Sequence, residues 1–173
     1  DITIRPAQLD DLDAIWDIFH FHLTAGETYP FEAHTPKSAC EEYWLGPNVN
    51  CFVAQERSGR VLGMYRVVAN QAGRGAHVAN ASYMVSDAAQ GRGIGYLMGA
   101  HSLDTARGLG FLAMQFNYVV STNQPAVALW QKLGFSIAGT LPKAYRHEQL
   151  GYVDTLVMYQ LLSDPATWPG KDA

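Results

Sequence analysis

The chain is short of cysteine, of charge and of unbroken apolar sequence, and each shortage removes a class of protein. Only Cys40 and Cys51 occur among 173 residues. They form no CxxC pair and no Cys/His spacing, which excludes a disulfide scaffold or zinc module and predicts reduced thiols. Charged residues make up 16%, and 16 acidic against 12 basic residues leave a formal charge of −4. Without a basic excess the chain is not a general polyanion binder, and nucleic acid is not an expected partner. No apolar run approaches the roughly 18 residues a membrane span needs. The opening Asp1-Ile2-Thr3-Ile4-Arg5 alternates like a strand, unlike a basic-then-apolar leader. A cytoplasmic chain with no membrane partner is the expectation.

What is present is ordinary globular composition, 48% hydrophobic, in a length that can bury one core. No repeat or linker divides it. The reading is one domain over 1–163 and a C-terminal tail over 164–173.

Ile2 and Ile4 mark a short strand. Leu12, Ile15, Trp16, Phe19 and Leu23 recur at helical spacing behind Asp10 and Asp11. Gly26 to Pro36 reads as a loop and Lys37 to Leu45 as a second helix. Strands are expected at 51–54 and 61–68, joined by a Ser58-Gly59 turn, and at 77–85. A helix over 94–107 follows a glycine-rich loop and stops at Gly108 and Gly110. A strand over 112–119, a helix over 123–133, and strands over 135–141 and 153–161 complete the order. The fold class is α/β (α+β): a mixed, mostly antiparallel sheet of about seven strands with helices on both faces.

The densest local signal is Gln90-Gly91-Arg92-Gly93-Ile94-Gly95, between a strand and a helix. Glycines allow a sharp turn and close approach. The first amides of the next helix are unpartnered and carry partial positive charge, so an anion, typically a phosphate, is the natural occupant. Arg92 can add a charge-assisted contact. No Lys-Ser or Lys-Thr follows, so this is not a P-loop. The glycine spacing also misses G-x-G-x-x-G, and strands without a βαβ start precede it, so a dinucleotide site fails too.

The spacing Gln90-x-x-Gly93-x-Gly95 resembles the Q/R-x-x-G-x-G/A signature of the GNAT superfamily of acetyl-CoA-dependent N-acetyltransferases. Asn123, Ala126, Leu129 and Lys132-Leu133-Gly134-Phe135 resemble that family's "N..A..LY..LGF" segment. The resemblance implies acetyl-CoA as cosubstrate, with its pyrophosphate on Gln90, Gly91, Arg92, Gly93, Ile94, Gly95 and Tyr96. It further implies main-chain contacts from Met84 and Val85, a contact from Asn123, and a V-shaped splay between the fourth and fifth strands where amine and thioester meet. It implies a small-molecule amine as acceptor and allows a homodimer. The segment from Phe111 to Tyr159 is similar to bacterial relatives of the yeast acetyltransferases that detoxify proline analogues, which implies an amino acid or analogue. One departure stands out: Trp130 occupies the place of the tyrosine that protonates the departing thiolate. A coenzyme-binding module without turnover is the alternative that this departure leaves open.

Among candidate groups, Asn117 shares a strand face with Gln115 and can accept from an amine and donate to a carboxylate. Tyr145, in an expected loop before the last strand, is the substitute acid. Phe31 and Glu32 belong to the early loop that should wall the acceptor side, and Glu27 or Glu32 can draw an ammonium. An amine of pKa near 10 is neutral only about once in a thousand molecules at pH 7, so a base or a water chain is expected. No metal is expected: His147-Glu148 lacks the second histidine of HExxH, and His20 and His22 point to different helix faces.

Overall fold

The computed structural model describes residues 1–170. Seven strands form one sheet in the order β1-β2-β3-β4-β5-β7-β6. They are β1 (Ile2–Pro6), β2 (Asn50–Glu56), β3 (Val61–Ala69), β4 (Val78–Val85), β5 (Ala113–Val120), β6 (Ser136–His147) and β7 (Gly151–Leu161). Every neighbouring pair is antiparallel except β4 and β5, which are parallel.

Four helices cover the two faces: α1 (Leu12–Ala25), α2 (Lys37–Leu45), α3 (Ile94–Gly108) and α4 (Gln124–Lys132). The alternation of each strand sends its side chains into two cores. Ile15, Phe19 and Leu23 of α1 and Trp44 of α2 pack with Val53, Met64 and Met84 on one face. Ile94, Met98 and Leu103 of α3 and Trp130 of α4 pack with Ala81, Tyr83 and Phe116 on the other. The sheet with helices on both faces is the expected architecture.

The differences fall late in the chain. The strand expected to end near Leu141 runs on to His147, absorbing register shifts between Ile137 and Gly139 and between Leu141 and Tyr145. Exposed, polar and irregular, it lacks the clean alternation that marks a strand. Its hairpin with β7 closes at His147, whose Nδ1 accepts from the Gln149 and Leu150 amides at 3.1 Å each. Beyond β7, Pro165–Thr167 is one short 3-10 turn capped by Asp164. The Trp168 ring meets His77 edge-on at 5.8 Å. Residues 171–173 of the expected tail lie outside the described residues.

Candidate active site

The parallel pairing of β4 with β5 lasts two positions, Val78 with Ala113 and Ala79 with Met114, and then stops. The strands part, and a cavity of about 560 Å³ opens between them. That is ample for a small ligand and part of an extended one.

The β3–β4 ladder says which main-chain groups face this slot. Asn70 N–H donates to Val78 C=O and Ser86 N–H to Leu62 C=O, both at 2.8 Å. Hydrogen-bonded pairs in an antiparallel ladder recur every second residue, so Asn80, Ser82 and Met84 pair with β3. Ala81, Tyr83 and Val85 therefore turn their main-chain groups towards the slot. Two of the carbonyls are engaged: Tyr83 accepts from the Tyr29 hydroxyl, and Val85 accepts from His22 Nε2–H at 2.7 Å and Gln90 Nε2 at 3.4 Å. Val85, one of the two strand residues expected to contact the donor, has its main chain on this side of the strand. Met84 does not: its main chain is spent on Met64 and its side chain is fully buried among Met64 and Val53.

At the far end of β4 the three glycines divide the labour. Gly91 (φ 80°) and Gly93 (φ 76°) are left-handed, and a Cβ on either would meet nothing within 4 Å, so open space lies over them. A Cβ on Gly95 would instead stand 3.2 Å from Leu129 Cδ2, so this glycine lets α4 approach α3. The first bond onto the loop is Leu97 N–H to Gly93 C=O at 3.1 Å, and the amides of Ile94, Gly95 and Tyr96 have no turn before them to bond. This open cradle of N–H groups fits a diphosphate. Lys132 lies 4.8 Å over the Tyr96 ring and adds positive charge there. The Arg92 guanidinium is turned to the Glu56 carboxylate at 3.7 Å.

The slot walls come from both cores. Asn123 caps α4, its Oδ1 accepting from Ala126 N–H at 3.4 Å, and borders the cavity. A register shift between Phe116 and Val119 bulges β5 and presents Asn117 and Tyr118 to the slot. Asn117 accepts from Gln115 at 2.8 Å, which confirms their common face, and donates to Asn70 Oδ1 at 2.6 Å. One acceptor site and one donor of its carboxamide remain. Phe31 lines the slot and packs edge-on against Tyr43 at 4.9 Å.

Two further expectations are corrected, for Glu32 and Tyr145, and Trp130 packs as a wall. Glu32 lines a smaller neighbouring cavity, paired with Arg146 at 3.4 Å, because the loop turns it away from the slot. Tyr145 is a buried residue of β6 lining that same side cavity. Burial pushes its phenol above the usual range, although the Tyr29 N–H opposes this, so it is no ready acid for the slot. Trp130 packs between Phe116 and Tyr83, at 4.8 and 4.6 Å between ring centroids, and is a wall. The acid tyrosine has no counterpart there.

Residue patterns alone missed Tyr43, Arg66, Asn80 and Ser82, which form the polar floor on the α1–α2 face. The available signal was Arg66 itself, a charge inside the apolar run from Leu62 to Val68.

Comparisons with known proteins agree with this geometry. The model of the acetyltransferase (GNAT) family matches residues 12–135. A GCN5-related N-acetyltransferase from Kribbella flavida superposes with a TM-score of 0.89 at 41% identity, covering 92% of this chain and 97% of that one. The phosphinothricin acetyltransferase of Sinorhizobium meliloti, solved with acetyl-CoA, has a TM-score of 0.87 at 23% identity, covering 98% and 94%. N-acetyltransferase aca1 of Schizosaccharomyces pombe is 26% identical over 164 residues, covering 84% of this chain and 78% of its own. With more than half of its length matched, a cradle for a diphosphate and a parted β4–β5 pair, the chain belongs to the GNAT family of acetyltransferases, enzymes whose acetyl donor is acetyl-CoA.

Proposed function

We propose that this enzyme transfers the acetyl group of acetyl-CoA to the amine of a small molecule, an amino acid or an amino-acid analogue, by direct attack in a ternary complex. The observation that carries the reading is the early end of β4–β5 pairing, which leaves a slot between the glycine cradle and an acceptor floor.

The amides of Gly91 and of Gly93 to Tyr96 would hold the diphosphate, the Arg92 amide being spent on the Ala89 carbonyl at 3.3 Å. The slot-facing main chain of Ala81, Tyr83 and Val85, with Asn123 opposite, would hold the pantetheine arm. When bound, acetyl-CoA supplies an activated carbonyl to which the amine nitrogen bonds while the carbon–sulfur bond breaks and thiolate leaves. The chain's part is alignment and dryness: Phe116, Trp130 and Phe31 exclude water, and Asn117 and Ser82 can orient the amine. Among the described residues no Asp, Glu, Lys or His lines the slot, so the amine's proton leaves through water. A thiol of pKa near 8.5 departs without a dedicated acid.

Release of free thiol on mixing enzyme, acetyl-CoA and an amine panel tests the reading. Tight coenzyme binding without thiol release for any amine overturns it. Gly93→Val, which forces a β-branched residue into a left-handed backbone beneath the diphosphate, is expected to raise the KM for acetyl-CoA at least about tenfold with the acceptor KM little changed. Equal effects on both would remove the loop from the donor site.

A further inference from the structure

We propose that Arg66 is the anchor for a carboxylate carried by the acceptor, so that the substrates are amines bearing a free carboxylate, amino acids foremost. The inference rests on the acetyl-transfer reading above and goes beyond it by assigning the residue that selects the acceptor.

Among the described residues Arg66 is the one charged side chain lining the slot. Among the described residues its side chain has neither a hydrogen-bond nor an ion-pair partner, and its Nε is buried and unsatisfied. The residue as a whole is half-buried, but a buried N–H of a charged group left without an acceptor is costly. The arginines that do pair with a carboxylate, Arg5, Arg57, Arg92, Arg107 and Arg146, all lie outside the slot.

Its setting is built to hold it still. The guanidinium carbon lies 3.8 Å from the centroid of the Tyr43 ring, a cation–π contact that holds the group over the ring without using its N–H donors. Tyr43 is fixed in turn by Ser82 Oγ at 2.7 Å and by Phe31 and Trp44 at 4.9 and 5.2 Å. Register sets Arg66 directly opposite Ser82, with Val68 opposite Asn80. Arg66, Ser82 and Asn80 thus share a sheet face beside the Asn70–Asn117 carboxamides. Planar, bidentate and ringed by neutral donors, the site matches a carboxylate.

The charge also bears on the amine. A slot whose formal charge, among the described residues, is the positive one of Arg66, walled by aromatic rings, disfavours an ammonium and favours the neutral amine that reacts. A simple cationic amine is repelled. An amino acid brings the compensating negative charge with it, leaving its amine to shed a proton near the thioester.

The test pairs each of the twenty amino acids with its carboxamide, in thiol-release kinetics with acetyl-CoA. The expected result is a preference for the acid of roughly 100-fold in kcat/KM among accepted substrates. Arg66→Met should abolish it through the acceptor KM, with the acetyl-CoA KM unchanged, and Arg66→Lys should restore part of it. Calorimetric binding of coenzyme A reports whether each variant is folded. Should Arg66→Met not fold, the wild-type preference and Arg66→Lys decide alone, and a lysine variant without loss of preference overturns the assignment. Wild-type enzyme that uses acids and amides alike overturns the inference and leaves acetyl transfer standing. A rise confined to the acetyl-CoA KM does so too, because the guanidinium would then serve a coenzyme phosphate. If no amine releases thiol, acetyl transfer itself fails. Titration of the amino acids into the coenzyme A complex then decides for Arg66: binding lost in Arg66→Met supports the anchor, and absent or unchanged binding ends it.

Discussion

Asp11 shows how one side chain can join the first strand to the first helix. Its carboxylate accepts from both terminal nitrogens of Arg5, at 2.9 and 2.8 Å, and from the Gln8 N–H at 2.7 Å. The Arg5 hydrogen bond holds its pKa below the ordinary carboxylate range, and burial only partly offsets this. A folded-state pKa lower than the unfolded one gives stability that is present above the unfolded value, near 4, and lost as pH falls through the folded value. Asp11→Asn should therefore cost about 1–2 kcal/mol at neutral pH. The difference from the parent should shrink as pH drops from about 5 to below 3, read by denaturant unfolding across that range. A constant difference would mean that Asp11 acts through shape alone. At this scale the sequence was least legible. Asn123 and the loop amides could be proposed from motifs, and Asn117 from its strand position, because each of these readings needs only local spacing. Arg66 and Tyr43 could not be joined on paper, because only the packing of α2 over β3 brings them together. Tyr145 failed for the same reason in reverse, since a residue one layer away from a slot looks identical in sequence to one inside it.

Helices and strands were far more legible, since periodicity and punctuation by glycine are written along the chain. Only the β6–β7 hairpin went astray, where solvent on both sides of an edge strand erases alternation. How the elements dock depends on single residues. Gly63 of β3 leaves room for α3: a Cβ there would stand 2.9 Å from the Met84 carbonyl and 2.9 Å from Met98 Cε, with Ile94 Cγ2 at 3.3 Å. Met98 can swing aside, but the carbonyl belongs to a paired strand. Gly63→Ala is expected to cost about 1–3 kcal/mol. By displacing the first turn of α3, it should also weaken acetyl-CoA binding. Gly108→Ala, at the end of the same helix with nothing within 4 Å of the new carbon, should instead gain roughly 0.5–1 kcal/mol by restricting the unfolded chain. Thermal melting of the two variants, with calorimetry of coenzyme A for the first, checks both directions.

The whole molecule is two half-sheets joined over two residue pairs, and this arrangement followed from the family resemblance more than from any local pattern. Strand order and the point of parting depend on long-range pairing that no window of sequence contains. Amide exchange gives the arrangement a direct readout. The N–H groups of Ala81, Tyr83 and Val85 should exchange quickly in the free enzyme and slow on addition of coenzyme A. Those of Asn80, Ser82 and Met84, bonded to β3, should stay slow throughout. Equal protection of both sets in the free enzyme would contradict the parted geometry.

An open strand flank normally recruits another polypeptide and seeds aggregation. Here it is recessed between Phe116 and Trp130 on one side and Tyr29 and Phe31 on the other, so a second sheet cannot dock. The flank discriminates by girth: a slender thread enters and completes the ladder, while a broad chain is turned away. The fold thus keeps an unfinished sheet without the hazard such sheets carry.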